Sequence, residues 1–362
     1  MTMKSLIVYY DPDLTTSIQD DAPIPDTGPR EILIRVVAAG MNPKDWKHPM
    51  PAYFNSRLNQ GDDVAGVVEG FGIEVKGFKF GERVAGFHRM GSPGGAYAEY
   101  CVCPEWTVFH IPDTMTFDEA ATIPLATFTA AVGLYRNLRL PMPFERADAA
   151  AGVRDSHALV INGASGAVGS FATKLAKLSP GIGPVIAVAG ASADLAKDNG
   201  ADVVLDYRSP TVRRDIEKAL AGKPLRYAFD AANTPTSLNY ILPNMDPSVG
   251  RYACTTSVGA GISVKSTEKG EQQMILELWG GWWQQIWVGS IHDDEPPGGI
   301  MFGAVVSKVL EMELAAGNFR GHPYELVEGG LNGVLDALER LRDKKNGNKK
   351  YVVRIPDTPG IT

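Results

Sequence analysis

The run V160-I-N-G-A-S-G-A-V-G169 restricts what this chain can fold into more than any other stretch. Gly163, Gly166 and Gly169 are spaced G-x-x-G-x-x-G, between an apolar run at Ala158–Asn162 and a segment of helical periodicity at Gly166–Ser179. Val168, Phe171, Leu175 and Leu178 mark that segment's expected apolar stripe. A strand that turns this sharply into a helix aims backbone N–H groups and the positive end of the helix dipole at one point. That is the geometry which holds a pyrophosphate. Gly163, Ser165, Gly166, Ala167, Val168 and Gly169 are therefore the candidate cofactor-binding residues. A glycine triplet also suits a tight turn that merely packs helix on sheet; the strand–helix alternation around this one favours a dinucleotide.

That alternation continues downstream. Strands are expected at Pro184–Val188, Val203–Asp206 and Tyr227–Asp230, with helices at Ser192–Asn199 and Pro210–Ala221 between them. A βαβαβ order predicts a parallel sheet with right-handed crossovers. Sites that bind NAD usually carry an acid ~20 residues after the glycines, on the ribose hydroxyls. Here that place reads A187-V-A-G-A-S192, small and neutral. The nearest acid, Asp194, falls inside the next expected helix. An acid would repel a 2′-phosphate, and its absence points to NADPH. Ser192, Lys197 and Tyr207, the last followed by Arg208, are the candidates to contact that phosphate. Lys197 also fits an ordinary solvated helix face.

Residues 1 to about 115 have a different texture. Short apolar runs at Leu6–Tyr10, Ile32–Ala38, Val64–Glu69, Arg83–Phe87, Tyr97–Val102 and Thr107–Ile111 alternate with Gly and Pro clusters. This spacing predicts a small barrel or sandwich. A helix is expected over Phe117–Arg136, broken at Pro124 and capped by Thr116 with Glu119 three residues on. Residues 139–157 are polar and read as a surface loop or insertion. Helices at Met301–Ala316 and Gly330–Lys344 and a strand at Tyr351–Ile355 end the chain. With 362 residues, two domains are expected. The formal charge of -7 argues against nucleic acid as a partner. Three cysteines make no disulfide framework, no apolar run reaches membrane-spanning length, and no signal peptide is evident. A cytoplasmic setting is the expectation.

Several segments together resemble the medium-chain dehydrogenase/reductase superfamily. G61-D-D-V-A-G-V-V-E-G-F-G72 is similar to its G-H-E-x-x-G-x-V segment. G81-E-R-V-A-G86, G95-A-Y-A-E-Y100, A120-A-T-I-P-L-A-T-F-T-A-A-V-G133 and K350-Y-V-V-R-I355 resemble its later landmarks. The resemblance implies an α/β protein with a discontinuous GroES-like β-rich catalytic domain, 1–125 plus 300–362. A Rossmann doubly wound parallel sheet domain, 126–299, would bind NADPH. The zinc-dependent branch carries Cys on its first turn and His-Glu later; this chain has Asn42 and Asp62-Asp63 there, so no metal is expected. Without a Lewis acid, reduction of an activated C=C bond is the easier chemistry.

Within the zinc-independent branch, N42-P-K-D-W-K47 and P124-L-A-T-F-T-A-A131 resemble the fungal enoyl reductases that work in trans with a polyketide synthase. This resemblance implies catalytic roles for Lys47 and Thr129, with Asn42 and Asp45 shaping the substrate and nicotinamide turn. It implies an acyl substrate on an acyl carrier protein, and a monomer. The aromatic run W279-G-G-W-W-Q-Q-I-W-V-G-S-I-H-D-D294 would line an acyl channel, though buried packing explains such clusters as well. Two other functions stay open: a reductase of free quinones or alkenals, and a non-catalytic NADPH-binding protein.

Overall fold

A computed structural model describes residues 1–145, 157–255, 282–293 and 298–361. The chain divides into two compact units, Met1–Leu125 with Gly289–Thr362, and Ala126–Val288.

The first unit is built on β1 (Thr2–Tyr10), β2 (Leu14–Pro23), β3 (Glu31–Gly40), α1 (Pro43–Lys47), β4 (Asp63–Phe71), β5 (Arg83–Phe87), β6 (Tyr100–Pro104), β7 (Val108–His110) and α2 (Phe117–Ala120). β2 escapes a search for apolar runs because T15-T-S-I-Q-D-D21 is mostly polar. It is antiparallel to β1 over its whole length and buries only Leu14 and Ala22. The large sheet runs β14–β15–β3–β4–β5–β7 with β6 also paired to β3. Its last two members, β14 (Tyr324–Val327) and β15 (Lys350–Arg354), come from the chain's end. Alternating side chains of these strands, Ile32, Ile34, Val64, Val84, Tyr351 and Val353, meet in one core with Tyr97 from the bend before β6. Cys101 and Cys103, two apart on β6, are both buried, their sulfurs 3.9 Å apart. Thr116 caps α2, its side chain accepting from the Glu119 N–H at 3.1 Å. α2 stops at Ala120, and Pro124 opens α3 (Pro124–Ala131), so the expected break is a new helix start.

The second unit holds β8 (His157–Asn162), α4 (Ala167–Leu178), β9 (Ile182–Ala189), α5 (Ala193–Asp198), β10 (Val203–Asp206), α6 (Val212–Leu220), β11 (Tyr227–Asp230), α7 (Pro235–Ile241), β12 (Arg251–Cys254) and β13 (Trp282–Gln285). Its six strands are all parallel, in the order β10–β9–β8–β11–β12–β13. In sequence ranks this is 3-2-1-4-5-6, the doubly wound dinucleotide-binding order. The order reverses between β8 and β11, and ligands of such sheets sit beyond the strand ends at that switch point. α4 lies on the sheet through Gly169, Phe171, Ala172, Leu175 and Ala176, while Val168 and Leu178 are only half-buried. The expected stripe is thus rotated, because small residues let the helix come closest to the strands.

The first unit is completed by α8 (Gly299–Ala315), a single 3-10 turn at Gly330–Gly333 and α9 (Val334–Arg342). Most of the expected polar insertion (146–156), the start of the aromatic run (279–281) and Asp294 lie outside the described residues.

Candidate active site

At the end of β8 the chain turns left-handed at Gly163, with φ +72°. A side chain there would press on Ala232, 3.1 Å away, and one at Gly169 would run into the Gly163 carbonyl oxygen. These two glycines are required by the protein's own packing. Gly166 is different: nothing lies closer to its place for a Cβ than 3.5 Å. It is also the N-cap of α4, and no side chain caps that helix end. The first N–H groups of a helix have no partner within it. Ala167, Val168 and Gly169 therefore offer donors beside a cradle that no protein side chain fills, and the residues present fit a dinucleotide pyrophosphate.

Asp230, at the end of β11, fixes the floor beside this loop. Its fully buried carboxylate accepts from Asn162 Nδ2 (2.7 Å), the N–H of Ala232 (3.1 Å) and Asn233 (2.6 Å), Ser237 Oγ (2.6 Å) and the Tyr252 hydroxyl (2.9 Å). Five neutral donors replace the water such a charge loses on burial. Asn162 immediately precedes Gly163, so the carboxylate ties the glycine turn to the segment it packs on. Asp230 has no sequence signature; only its strand was expected.

β9 ends at Ala189 and is followed by Gly190, with no acid there. The Tyr207 ring lies against Gly190, where a Cβ would sit 2.7 Å from Cε1, and the tyrosine is half exposed. Ser192 is the N-cap of α5, and Lys197 is an exposed residue of its last turn. Asp194 does fall within α5. The Arg208 guanidinium is engaged by its neighbour Asp206 at 2.7–3.1 Å.

In the first unit, Pro43–Lys47 forms a one-turn helix, α1. Asn42 caps it, its N–H donating to Asp45 Oδ2 at 2.9 Å, and Pro43 opens it. Asp45 is fully buried and also accepts from the Tyr97 hydroxyl at 2.7 Å. Burial, only partly offset by Lys44, pushes its carboxyl up to about 6. Two lysines on this single turn have opposite surroundings. Lys44 Nζ lies 2.5 Å from Asp62, 3.2 Å from Asp45 and 2.6 Å from the Gln60 carbonyl. Burial works against its charge, but the two carboxylates prevail and raise its pKa. Lys47 has no carboxylate partner among the described residues, and its Nζ stands 5.4 Å from the Trp46 ring centre. Burial, with Lys344 adding repulsion, lowers its pKa.

Behind the turn, Asn42 donates to Asp63 at 2.8 Å, and the Lys350 ammonium pairs with Asp63 while donating to Asn42 Oδ1 at 3.1 Å. Asp63 also receives the Leu125 N–H at 2.6 Å. An internal cation thus sits among the residues that replace the zinc branch's ligand positions. Among the described residues no group of three or more His, Cys, Asp or Glu is placed to hold a metal ion. Lys44, His88 and Lys350 carry no site signature in the sequence; their burial is a property of the fold alone. Thr129 is buried in α3 and belongs to the other unit from Lys47.

Residues 28–113 match the family described as alcohol dehydrogenase GroES-like domain, and 167–293 match zinc-binding dehydrogenase. A trans-enoyl reductase of Gibberella fujikuroi, fsr4, is 36% identical over 342 residues, covering 92% of this chain and 93% of the relative. A putative zinc-dependent alcohol dehydrogenase of Rhizobium etli shares the fold, with a TM-score of 0.77 at 21% identity over 97% of this chain and 98% of that one. So does a mycobacterial protein complexed with NADPH, with a TM-score of 0.71 at 22% identity over 98% of this chain and all of the other. The chain belongs to the medium-chain dehydrogenase/reductase superfamily and is an oxidoreductase of it. Its nucleotide unit is that of a family whose cofactor is a nicotinamide dinucleotide.

Proposed function

We propose that this oxidoreductase is an NADPH-dependent enoyl reductase that acts in trans on an α,β-unsaturated acyl thioester carried by a polyketide synthase. The observation that carries this is an open dinucleotide cradle at Gly166 in a chain 36% identical, over 92% of its length, to a trans-enoyl reductase. The neutral end of β9 favours a 2′-phosphate over a bare ribose. When bound, NADPH supplies the hydride that adds to the β-carbon of the thioester.

The chain's residues handle the rest. Lys47, a half-buried ammonium with no carboxylate partner among the described residues, is suited to stabilising the enolate oxygen that forms at the thioester carbonyl. Thr129 is assigned a hydrogen bond to the same region. Asn42 and Asp45 hold the one-turn helix from which Lys47 projects. Gly163 and Gly169 shape the pyrophosphate loop, and the N–H groups of Ser165, Ala167 and Val168 donate to it. Ser192, Lys197 and Tyr207 receive the 2′-phosphate.

The test is loss of nicotinamide absorbance with purified protein, a chelator, and either a 2-enoyl thioester or a simple quinone. Turnover of the thioester with NADPH, slow with NADH and indifferent to the chelator, supports the proposal. Turnover of the quinone alone would replace it with a reductase of free small molecules. Cofactor binding without turnover of either, repeated on carrier-bound substrate, would make the protein non-catalytic.

A further inference from the structure

The edge where the strands of the parallel sheet begin lies opposite the glycine turn, which follows the end of β8. Three arginines gather there. Arg226 immediately precedes β11, Arg251 opens β12, and the Arg251 N–H donates to the Arg226 carbonyl at 2.8 Å. Both guanidiniums lie over aromatic rings. Arg226 is 5.4 Å from the centre of the Tyr227 ring, and Arg251 is 3.9 Å from that of Trp282, the first residue of β13. Arg226 Nη1 donates to His157 Nε2 at 3.1 Å; a guanidinium only donates, so the histidine accepts there and is uncharged. Arg251 Nη2 donates to the Asn137 carbonyl at 3.1 Å, at the end of the helical turn Val132–Asn137. Two residues on, Arg139 is exposed and left-handed, with φ +60°, a conformation that costs a side-chain-bearing residue energy. Burial, joined by repulsion from Arg139 and Arg226 and only partly offset by Tyr227, lowers the pKa of Arg251.

Stacking on Tyr227 and Trp282, and capping of a helical turn, would be reason enough for two of these arginines. Two features exceed that need. No carboxylate among the described residues pairs with any of the three guanidiniums, in a chain of net charge -7 where Arg30, Arg208 and Arg354 each pair with one. The Nε of both Arg226 and Arg251 is buried without an acceptor. Like charges that are half-buried together are costly unless an opposite charge joins them. We propose that this strand-start edge is a binding site for a phosphate-class oxyanion, held by Arg139, Arg226 and Arg251. Arg226 Nη2, Arg251 Nη1 and the whole guanidinium of Arg139 are the donors left for it among the described residues. The guanidinium fork matches two oxygens of a phosphate at once. A phosphate dianion balances two of the three charges, which a monocarboxylate does not, so inorganic phosphate or a phosphomonoester is the ligand class. The site is separate from the proposed 2′-phosphate contacts, since Ser192 and Tyr207 follow the opposite ends of β9 and β10.

Titration calorimetry with inorganic phosphate tests the site, with NADPH at saturation to keep the glycine turn filled and with acetate and chloride compared at matched ionic strength. Phosphate should fill one saturable site and raise the thermal midpoint, as a ligand of the folded state does. Acetate should bind at least about tenfold more weakly. Arg139→Gln removes an exposed side chain and should weaken phosphate about tenfold. Adding Arg251→Gln should remove detectable binding. Arg214→Gln takes the same charge from an exposed position on α6 and should bind phosphate as the wild type does. If the double variant fails to fold, Arg139→Gln against Arg214→Gln decides. Absence of saturable binding, phosphate no tighter than acetate, wild-type affinity in Arg139→Gln, or equal losses in Arg139→Gln and Arg214→Gln would each overturn the site. None of these readouts uses turnover, so a failure of the reductase assignment would leave the site standing.

Discussion

The glycine turn of the parallel-sheet unit and the α1 turn of the β-rich unit are both tight one-turn structures, yet they are built from opposite materials. The first is backbone: three glycines, an uncapped helix end and neutral donors around one carboxylate. The second is charge: Lys44, Asp45, Asp62, Asp63, His88 and Lys350, gathered from four separate stretches of the chain. A backbone site is a fixed surface for a ligand that brings its own charge. A charged site holds its geometry only while every partner is present, because each buried ion is costly alone. The two should therefore fail differently when altered.

The largest effect is expected from Lys350→Met. It strands Asp63 in the core without a countercharge and should cost about 3–5 kcal/mol. Urea unfolding should show a lowered midpoint, and adding Asp63→Asn should recover part of the loss. If Lys350→Met is neutral, the charged turn is not the fragile one.

The glycine turn gives a sharper contrast within itself. Gly169→Ala drives a methyl into the Gly163 carbonyl, so both stability and NADPH affinity should fall. Gly166→Ala meets no close atom of the protein and should leave the unfolding free energy within about 1 kcal/mol of wild type. Its NADPH dissociation constant should nevertheless rise at least about tenfold, since the methyl occupies the cradle. Equal NADPH affinity in Gly166→Ala and wild type would remove the cradle from the account.

A pH comparison follows from Asp45, raised from its ordinary 3.8 to about 6. A carboxyl that is easier to protonate in the folded state stabilises it at low pH. That contribution is complete below about pH 4 and is lost as pH rises through about 6, on the order of 3 kcal/mol. Asp45→Asn should flatten this part of the stability profile, which denaturant midpoints at pH 4 to 7 would reveal. The smallest effect belongs to Lys197→Ala. Removal of an exposed charge should weaken NADPH about fivefold or less and leave NADH unchanged.

The same contrast explains what could be read from the sequence. The glycine spacing, the strand–helix alternation and the neutral end of β9 are local, and each recurs in the structure where the chain places it. The strands Arg251–Cys254 and Trp282–Gln285 were not anticipated, since each is only four residues long and R251-Y-A-C254 and W282-W-Q-Q285 show neither a continuous apolar run nor a clear alternation. At the charged turn, N42-P-K-D-W-K47 is too short to show a helical period, so its one helical turn has no local signature. Lys44 carries no local signature of burial in that stretch. Its burial comes from Asp62, which is brought alongside by strand pairing between β3 and β4. Lys350 is 308 residues from Asn42 and meets it only because β15 joins β3. Long-range charge pairing has no local signature.

The most direct test of the central claim follows atoms into product. A 2-enoyl thioester is reduced with NADPH carrying deuterium at C4, and the saturated product is analysed by mass spectrometry and NMR. The account predicts one deuterium at the β-carbon from the cofactor, and one at the α-carbon when the solvent is D2O instead. Deuterium at the former carbonyl carbon, or product without cofactor-derived deuterium, would contradict it.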